Sequence, residues 1–334
     1  MSELRGILTE QVDRLIGDGG GVSLLRDVEA GNWPAGLWAG LEAQGLALAL
    51  VPEDAGGVGL PWGDAAAIWQ VLGRHGAPAP IAETMLGAAL LASGGIEVPE
   101  GPLGFAFARC AVPFGRHVPN LVVLEGNAVS LHVSGAFTTA ENIGREPRDM
   151  VAPGRRIARG TLPNEFGPRA GLLGLALIRS ALIAGALERI LALTVDWANT
   201  RKQFGRAIGK FQAVQQQLAA MAGEVAAVSV AVSQAARAAD AQGLAGAAFE
   251  IGCAKIVAGE AATMGAATAH QVFAAIGITE EHELHHFTRR LWSWREEGGT
   301  ERLWAAEIGR AALARGGPNL WPDITARDVQ GATA

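Results

Sequence analysis

A cationic turn near the middle of the chain is the first candidate for chemistry in this sequence. Arg201, Lys202 and Arg206 lie close together in the string Arg-Lys-Gln-Phe-Gly-Arg, with Gly205 among them. Glycine lets backbone approach a ligand, and guanidinium groups match phosphate oxygens in geometry and charge. The turn therefore predicts contact with a phosphate-bearing ligand, although a solvated basic turn between two core helices fits the charges alone.

Long helical patterns surround this turn and must position it. Between Pro168 and Arg315 apolar residues recur every three or four positions, which marks one buried face on each helix. Antiparallel helices joined by short glycine-bearing turns predict a four-helix bundle over residues 170–198, 212–242, 245–276 and 301–315. Lys255 lies on the third helix among Ala, Ile and Val, and we expect a snorkelling or ion-paired structural residue there.

The rest of the chain divides into two further regions. Residues 1–101 show helical periodicity interrupted by Gly/Pro turns, and residues 102–165 change to short alternating stretches at 104–109, 121–125, 129–133 and 149–152. The predicted fold class is mainly α with a small β middle domain. The predicted domains are a helical domain at 1–101, a reduced β domain at 102–165 and a helical bundle at 166–334.

Composition narrows the functional classes. The net charge is −6 and the pI is near 5.7, which argues against a general nucleic-acid surface but permits a local basic pocket. No run of eighteen apolar residues is uninterrupted, so we predict no membrane insertion, and the amphipathic start of the chain predicts a cytoplasmic protein. The two cysteines, Cys110 and Cys253, are far apart and are expected to be small core residues.

The string Arg-Lys-Gln-Phe-Gly-Arg-x-Ile-Gly-x-Phe-Gln-Ala-x-Gln resembles the signature of the acyl-CoA dehydrogenase family, flavoenzymes that oxidise the Cα–Cβ bond of an acyl-CoA thioester. The segments 50–60 and 72–84 resemble the same family, in the same order. The resemblance implies an acyl-CoA dehydrogenase-like fold, FAD as cofactor and an electron-transferring flavoprotein as acceptor. It also implies that Arg201, Gln203 and Phe204 contact the FAD of a neighbouring subunit.

Residues 270–282 resemble the family segment Gln-x-x-Gly-Gly-x-Gly-x-Thr-x-Glu, which borders the FAD pyrophosphate. Gln271 and Gly277 match, whereas Ala274 and Ala275 replace the paired glycines, and Gln271, Ala275 and Gly277 are predicted FAD contacts. His282, His285 and His286 lie among glutamates in and after this segment. Because a metal needs a closed ligand geometry and the family already explains the segment, we expect no metal site.

The resemblance also directs attention to the catalytic base, which in this family is a buried Glu with a raised pKa. Many members carry it in a Tyr-Glu-Gly-Thr segment. Here Gly299-Thr300 matches the end of that segment, which puts Gly298 at the base position and Glu297 one residue before it. Other members place the Glu on the second bundle helix, where residues 225–232 contain no carboxylate. The catalytic base is therefore either a displaced Glu297 or absent. By the same resemblance, Thr300 is a further predicted FAD contact.

In the resembled family, two motifs of the middle domain contact the flavin ring and the thioester. Both motifs are missing from residues 102–163 of this chain. The residues that match the family, Arg201, Gln203 and Phe204, would thus serve a neighbour's flavin, while the missing motifs would serve the chain's own. This asymmetry predicts the shortened subunit of a heteromeric acyl-CoA dehydrogenase, similar to those that act on steroid side-chain CoA thioesters. The alternatives are a self-sufficient homo-oligomer with Glu297 as base, and a flavin-free helical scaffold or binding protein.

Overall fold

A helical layer, a five-stranded sheet and a helical bundle follow one another along the chain in the computed structural model, which describes residues 3–106 and 111–329. This order confirms the predicted fold class. The N-terminal helices are α1 (Glu3–Asp18), α2 (Gly21–Glu29), α3 (Ala35–Ala43), α4 (Trp62–His75) and α5 (Ile81–Ser93).

Helix α4 fixes the N-terminal layer on the first bundle helix, α6 (Ala170–Thr200). The two backbones approach so closely that a Cβ at Gly73 would overlap the Leu182 carbonyl and one at Gly185 would overlap the Gln70 carbonyl. Glycine at both positions removes the side chains that would hold the helices apart. One continuous hydrophobic core results, with Trp69 and Leu72 of α4 buried against α6.

The sheet packs beside α5. Its strands are β1 (Leu103–Ala106), β2 (Val112–Pro113), β3 (Asn120–Glu125), β4 (Ala128–Thr138) and β5 (Arg148–Thr161). They lie in the order β1-β3-β4-β5-β2; β1 is parallel to β3, and the other pairs are antiparallel. The strand predicted at 104–109 is observed at 103–106, and residues 107–110, including Cys110, lie outside the described residues.

The chain continues after α6 with α7 (Gln212–Gly246), α8 (Ala248–Phe273), α9 (Leu284–Trp294), α10 (Glu301–Arg315) and α11 (Gly317–Val329). The predicted helix at 301–315 is α10, whereas α9 and α11 are additional to the four predicted helices. Helix α9 packs against α6 and α8, and α10 packs on α8. The sequence contains a signal for α9, because Leu284, Phe287, Leu291 and Trp294 are buried at helical spacing.

Lys255 does not snorkel to solvent as expected. Its side chain is fully buried in α8, and its ammonium donates a hydrogen bond to the Arg295 carbonyl at 2.5 Å. Burial, only partly offset by the nearby Glu301, lowers the Lys255 pKa to about 8. Lys255 therefore ties α8 to the end of α9. Cys253 is half-buried rather than a core residue.

Three bundle helices, α6, α7 and α8, are long and apolar enough to cross a membrane if judged by length and composition alone. In α6, 89% of the most apolar 18-residue window is buried inside the protein, whereas the corresponding share for α7 is 28%. The apolar side chains of α6 therefore pack into the core of the bundle.

Candidate functional site

A groove at one end of the bundle brings together the two segments predicted to contact FAD. Arg201, Gln203 and Phe204 line it from one side, and Gln271 and Ala275 line it from the end of α8. We call this the hairpin groove. A cation, two amides and an aromatic ring thus face one space although they come from segments far apart in sequence, which is a donor set suited to a dinucleotide phosphate.

A tight β-hairpin presents the cationic side of the groove. Lys202–Gln203 pairs with Arg206–Ala207 in an antiparallel manner, and the two connecting residues, Phe204 and Gly205, have φ angles of 50° and 78°. Positive φ at both central positions defines the hairpin turn that suits right-handed strand twist. The Phe204 side chain is 91% exposed. A large aromatic ring in a left-handed backbone conformation and in water suggests that something outside this chain covers it.

Aromatic rings that the sequence reading did not single out form the floor of the groove. Trp197 stacks on Phe273 with ring centroids 5.1 Å apart and an interplanar angle of 20°. The Arg201 guanidinium lies 5.9 Å from the centre of the Trp197 ring. This cation–π contact orients Arg201 while leaving its N–H donors available to the groove. The available signal was the position of Trp197, one helical turn before Arg201.

Ala274 adopts a backbone conformation that belongs to glycine. Its φ and ψ are 55° and −139°, and it ends α8 at the wall of the groove. An L side chain in this region costs roughly 1–3 kcal/mol. The sequence placed a family glycine at this position, and the backbone retains the glycine geometry although the residue is alanine.

Replacing Ala274 by glycine is therefore expected to stabilise the protein. Relief of the backbone strain exceeds the entropy that glycine adds to the unfolded chain, so we expect the free energy of unfolding to rise by about 1 kcal/mol. Urea denaturation of Ala274→Gly and wild type measures the difference. The matched variant Ala213→Gly, at an exposed and strain-free position of α7, should instead lose stability; a loss for both would show that Ala274 is not strained.

Two predicted FAD contacts lie outside the lining of the groove. Gly277 is buried, and a Cβ there would lie 2.8 Å from the Phe273 Cβ and 3.1 Å from a Leu284 methyl group, so close packing alone requires glycine. Thr300 caps α10, where its hydroxyl accepts a hydrogen bond from the Leu303 N–H at 3.3 Å. Contact of either residue with FAD stays a prediction.

A second space, which we call the junction cavity, lies where α5, the sheet, α6 and the segment after α9 meet. Glu297 and Gly298 both border it. Its walls are mostly apolar and include Phe105, Ile143, Met150, Leu172, Leu175 and Trp292.

Two arginines clamp Glu297 at the edge of this cavity. The Arg148 Nε donates to one carboxylate oxygen at 2.8 Å, and the Arg179 Nε donates to the other at 2.5 Å. Arg179 also bonds Glu83 of α5 at 2.6 Å. Burial opposes ionisation of Glu297, but the charges and hydrogen bonds of Arg148 and Arg179 outweigh it and hold the pKa at about 2.

This clamp is the opposite of what a general base requires. A carboxylate with a pKa near 2 is a weak base, and both of its oxygens already accept hydrogen bonds from arginine. Gly298 cannot take over the role because glycine has no side chain, and a Cβ at this position would lie only 2.8 Å from the backbone of Ala176. The surroundings of Glu297 thus favour the alternative in which this chain supplies no base.

The histidines after α8 have partners within the protein. His282 accepts the Leu284 N–H at 3.1 Å, a ring nitrogen of His285 lies 2.8 Å from the His282 carbonyl, and His286 bonds the buried Glu29 at 2.8 Å. Within residues 3–106 and 111–329 no group of three or more His, Cys, Asp or Glu residues is arranged to hold a metal ion.

Comparison with known proteins identifies the family. Residues 173–313 match the family model for the acyl-CoA dehydrogenase C-terminal domain. The chain is 33% identical over 304 residues to acyl-CoA dehydrogenase IpdE2 of Mycobacterium tuberculosis, with 86% of this chain and 91% of that protein covered. The chain belongs to the acyl-CoA dehydrogenase family. The chain is therefore an oxidoreductase of the acyl-CoA dehydrogenase type.

The acyl-CoA dehydrogenase fold extends over nearly the whole chain. The ChsE4-ChsE5 complex of Mycobacterium tuberculosis superimposes with a TM-score of 0.79 at 23% identity, covering 93% of this chain and 97% of that chain. A glutaryl-coenzyme A dehydrogenase complex with glutaryl-CoA gives a TM-score of 0.74 at 18% identity, covering 94% and 96%. The helical layer, the sheet and the bundle of this chain thus together form an acyl-CoA dehydrogenase fold.

Clamped carboxylates give this acyl-CoA dehydrogenase-family protein a predictable response to acid. Glu297 and Glu29 both have a pKa of about 2; burial of Glu29 is outweighed by His286 and Arg290. A carboxylate with a lowered pKa stabilises the fold above its unfolded pKa and loses that contribution as pH falls. We expect each to lose on the order of 3 kcal/mol of unfolding free energy between about pH 4.5 and pH 2.

Urea titrations at pH 7, 4 and 3 measure this loss. Replacing the exposed Glu10 by glutamine should leave the pH dependence unchanged, since that carboxylate is 72% exposed. Glu297→Gln should flatten it. An equal pH dependence in wild type and Glu297→Gln would show that the clamp does not contribute.

Proposed function

We propose that this chain is the shortened subunit of a heteromeric acyl-CoA dehydrogenase and contributes the hairpin groove to the FAD of a full-length partner. The observation that carries the proposal is a contrast between two sites. The groove presents Arg201, Gln203, Gln271 and an exposed Phe204 toward the outside of the chain. Glu297, the carboxylate one residue before the family's base position, is instead held in ion pairs with Arg148 and Arg179.

The residues of the groove fit FAD. Arg201 would bind a phosphate of the cofactor, Gln203 and Gln271 would supply amide donors, and Phe204 would pack against its planar part. Ala274 keeps the glycine-like backbone that lets the chain approach a ligand closely. When bound, FAD supplies the electron acceptor for the α,β-dehydrogenation of an acyl-CoA thioester. The side chains of this subunit bind and orient the cofactor, and proton abstraction falls to the partner.

The names of related proteins support a heteromer and a bulky substrate. One structural relative is a complex of two different proteins, ChsE4 and ChsE5, and another is a two-component steroid acyl-CoA dehydrogenase, Tcur3481-Tcur3483. We infer that this chain pairs with a full-length acyl-CoA dehydrogenase in the cytoplasm, acts on a steroid-derived acyl-CoA thioester, and passes electrons to an electron-transferring flavoprotein.

The visible absorbance of bound flavin tests the proposal. The chain is purified alone, and again after co-expression with the full-length acyl-CoA dehydrogenase encoded nearest to it. We expect a colourless protein alone and a yellow complex with about one FAD per pair of chains. A yellow protein alone that is bleached by an acyl-CoA would instead establish a homo-oligomer with Glu297 as base. Absence of flavin in both samples would contradict the proposal and support the alternative of a flavin-free helical scaffold or binding protein.

A further inference from the structure

Three exposed arginines on β5 take part in no ion pair of this fold. Arg155, Arg156 and Arg159 all lie at the surface, and no ion pair of theirs occurs in the part of the chain that the structure describes. Arg116, in the same sheet region, is by contrast bonded to the buried Asp149 at 2.8 Å. We call Arg155, Arg156 and Arg159 the arginine cluster. Its three positive charges are therefore available to a partner outside the chain.

The arginine cluster is a local exception in a chain with a net charge of −6. Residues 1–101 contain thirteen carboxylates and four arginines, whereas residues 102–161 contain seven arginines and four carboxylates. The sheet region thus carries the opposite sign to the helical layer. A surface whose charge opposes the net charge of the protein attracts acidic partners that the rest of the chain repels.

A β-bulge brings Arg156 and Arg159 to the same face of the sheet. Residues three positions apart on a regular strand point to opposite faces. The register of β4 and β5 shifts between Leu131 and His132, which leaves Ile157 without a partner on β4. The β4 partners of Arg156 and Arg159 are therefore two positions apart, and both arginines lie on one face. Ile157 itself is 48% exposed between them.

The face that carries these two arginines points away from the helical layer. Leu131, between the β4 partners of the arginines, and Val129 both face the other way and are buried, and a Cβ at Gly94, at the end of α5, would overlap the Val129 side chain. Two like charges close together on one face of a sheet repel each other and lower stability. Since the described fold forms no ion pair in return, stability does not explain why both arginines stand on this face.

The charge of this face indicates a transient partner rather than a permanent subunit. The centre of a stable protein–protein interface is depleted in charge. Weak electron-transfer encounters, by contrast, bury little area, and complementary charges steer and orient the two proteins. Among the protein partners in the proposed function, the electron-transferring flavoprotein is the one that must bind and leave in every catalytic cycle.

We propose that the arginine cluster is the docking surface for an acidic face of the electron-transferring flavoprotein. The inference rests on the proposed function, which supplies both the flavin to be reoxidised and this acceptor. Arg156 and Arg159 attract and orient the acceptor, and Ile157 gives the contact a small apolar centre. The arginines exchange no electrons or protons themselves, so their removal should slow docking without altering the flavin.

Replacing Arg156 and Arg159 together by serine tests the docking surface in the co-expressed complex. The flavin of the complex is reduced anaerobically with a stoichiometric amount of dithionite and mixed with oxidised electron-transferring flavoprotein from the same organism, and stopped-flow absorbance follows the reaction. We expect the second-order rate constant to fall about tenfold at low ionic strength. The difference from wild type should disappear at roughly 0.5 M salt, because the charges are then screened.

Matched variants isolate the position of the charges. Arg302→Ser with Arg310→Ser removes two exposed charges from α10 and should leave the rate constant unchanged. Arg156→Lys with Arg159→Lys keeps the charges on β5 and should retain most of the rate. Reduction of a small neutral quinone should be equally fast in all variants, since it does not depend on protein docking.

The outcomes separate this inference from the proposed function. A colourless wild-type complex would contradict the proposed function and this inference with it. A yellow complex in which the double serine variant transfers electrons as fast as wild type would overturn the docking surface alone. Aggregation of that variant with an unchanged rate would instead assign the arginines to protecting the edge of β5 beyond its pairing with β2.

Discussion

Replacing Arg201 by alanine is expected to remove most of the FAD from the heteromeric complex while the complex itself still forms. The Arg201 guanidinium is the cationic group that lines the groove, and its contact with the Trp197 ring orients it. Loss of a charge-assisted hydrogen bond to phosphate costs about 1.5–3 kcal/mol, so FAD should bind roughly 10- to 100-fold more weakly. Flavin absorbance per complex after gel filtration, and a titration with added FAD, measure the change.

An exposed arginine elsewhere is the control for Arg201. Arg310→Ala removes the same charge from an exposed position of α10 and should leave the FAD content unchanged. Arg201→Lys keeps the charge but loses the planar pair of donors, so an intermediate FAD affinity is expected. A complex that keeps full FAD with Arg201→Ala would contradict the contribution of the hairpin groove.

Replacing Arg179 by methionine is expected to be the most destabilising single substitution in this region. Arg179 is 1% exposed and bonds both Glu83 of α5 and Glu297 of the segment after α9. Its removal leaves Glu83 without that partner and Glu297 with Arg148 as its remaining cationic partner. Breaking a buried ion pair from one side costs about 3–5 kcal/mol, and we expect a loss of this size in urea denaturation at pH 7.

A more exposed arginine on the same helix, α6, supplies the control for Arg179. Arg189 bonds Glu283 at 2.9 Å but is 40% exposed, so Arg189→Met should cost less than about 1 kcal/mol. Adding Glu83→Gln and Glu297→Gln to Arg179→Met should recover part of the lost stability, because the buried negative charges are then removed. Equal losses of unfolding free energy for Arg179→Met and Arg189→Met would show that burial does not raise the cost of breaking the ion pairs of Arg179.

The type and order of the elements could be predicted from the sequence. Apolar residues spaced three and four positions apart predict the long helices. Short stretches in which apolar and polar residues alternate predict strands close to the observed β3 and β4. These patterns are local, because each helix or strand must bury one face whatever it packs against. The cationic segment around Arg201 could also be recognised from the sequence, because its residues are contiguous. Helix α9 carries the same kind of signal, although histidines and arginines stand between its buried apolar residues.

Only the tertiary structure decided which residues meet. The hairpin and the end of α8 share a groove because antiparallel helices bring both segments to one end of the bundle. Arg148 and Arg179 lie 149 and 118 positions from Glu297, and no local pattern announces an ion pair over such distances. The glycine-like backbone of Ala274 is likewise invisible in a sequence that reads alanine. Local periodicity encodes how a segment folds, whereas the ionisation of Glu297 depends on charges that packing brings within bonding distance.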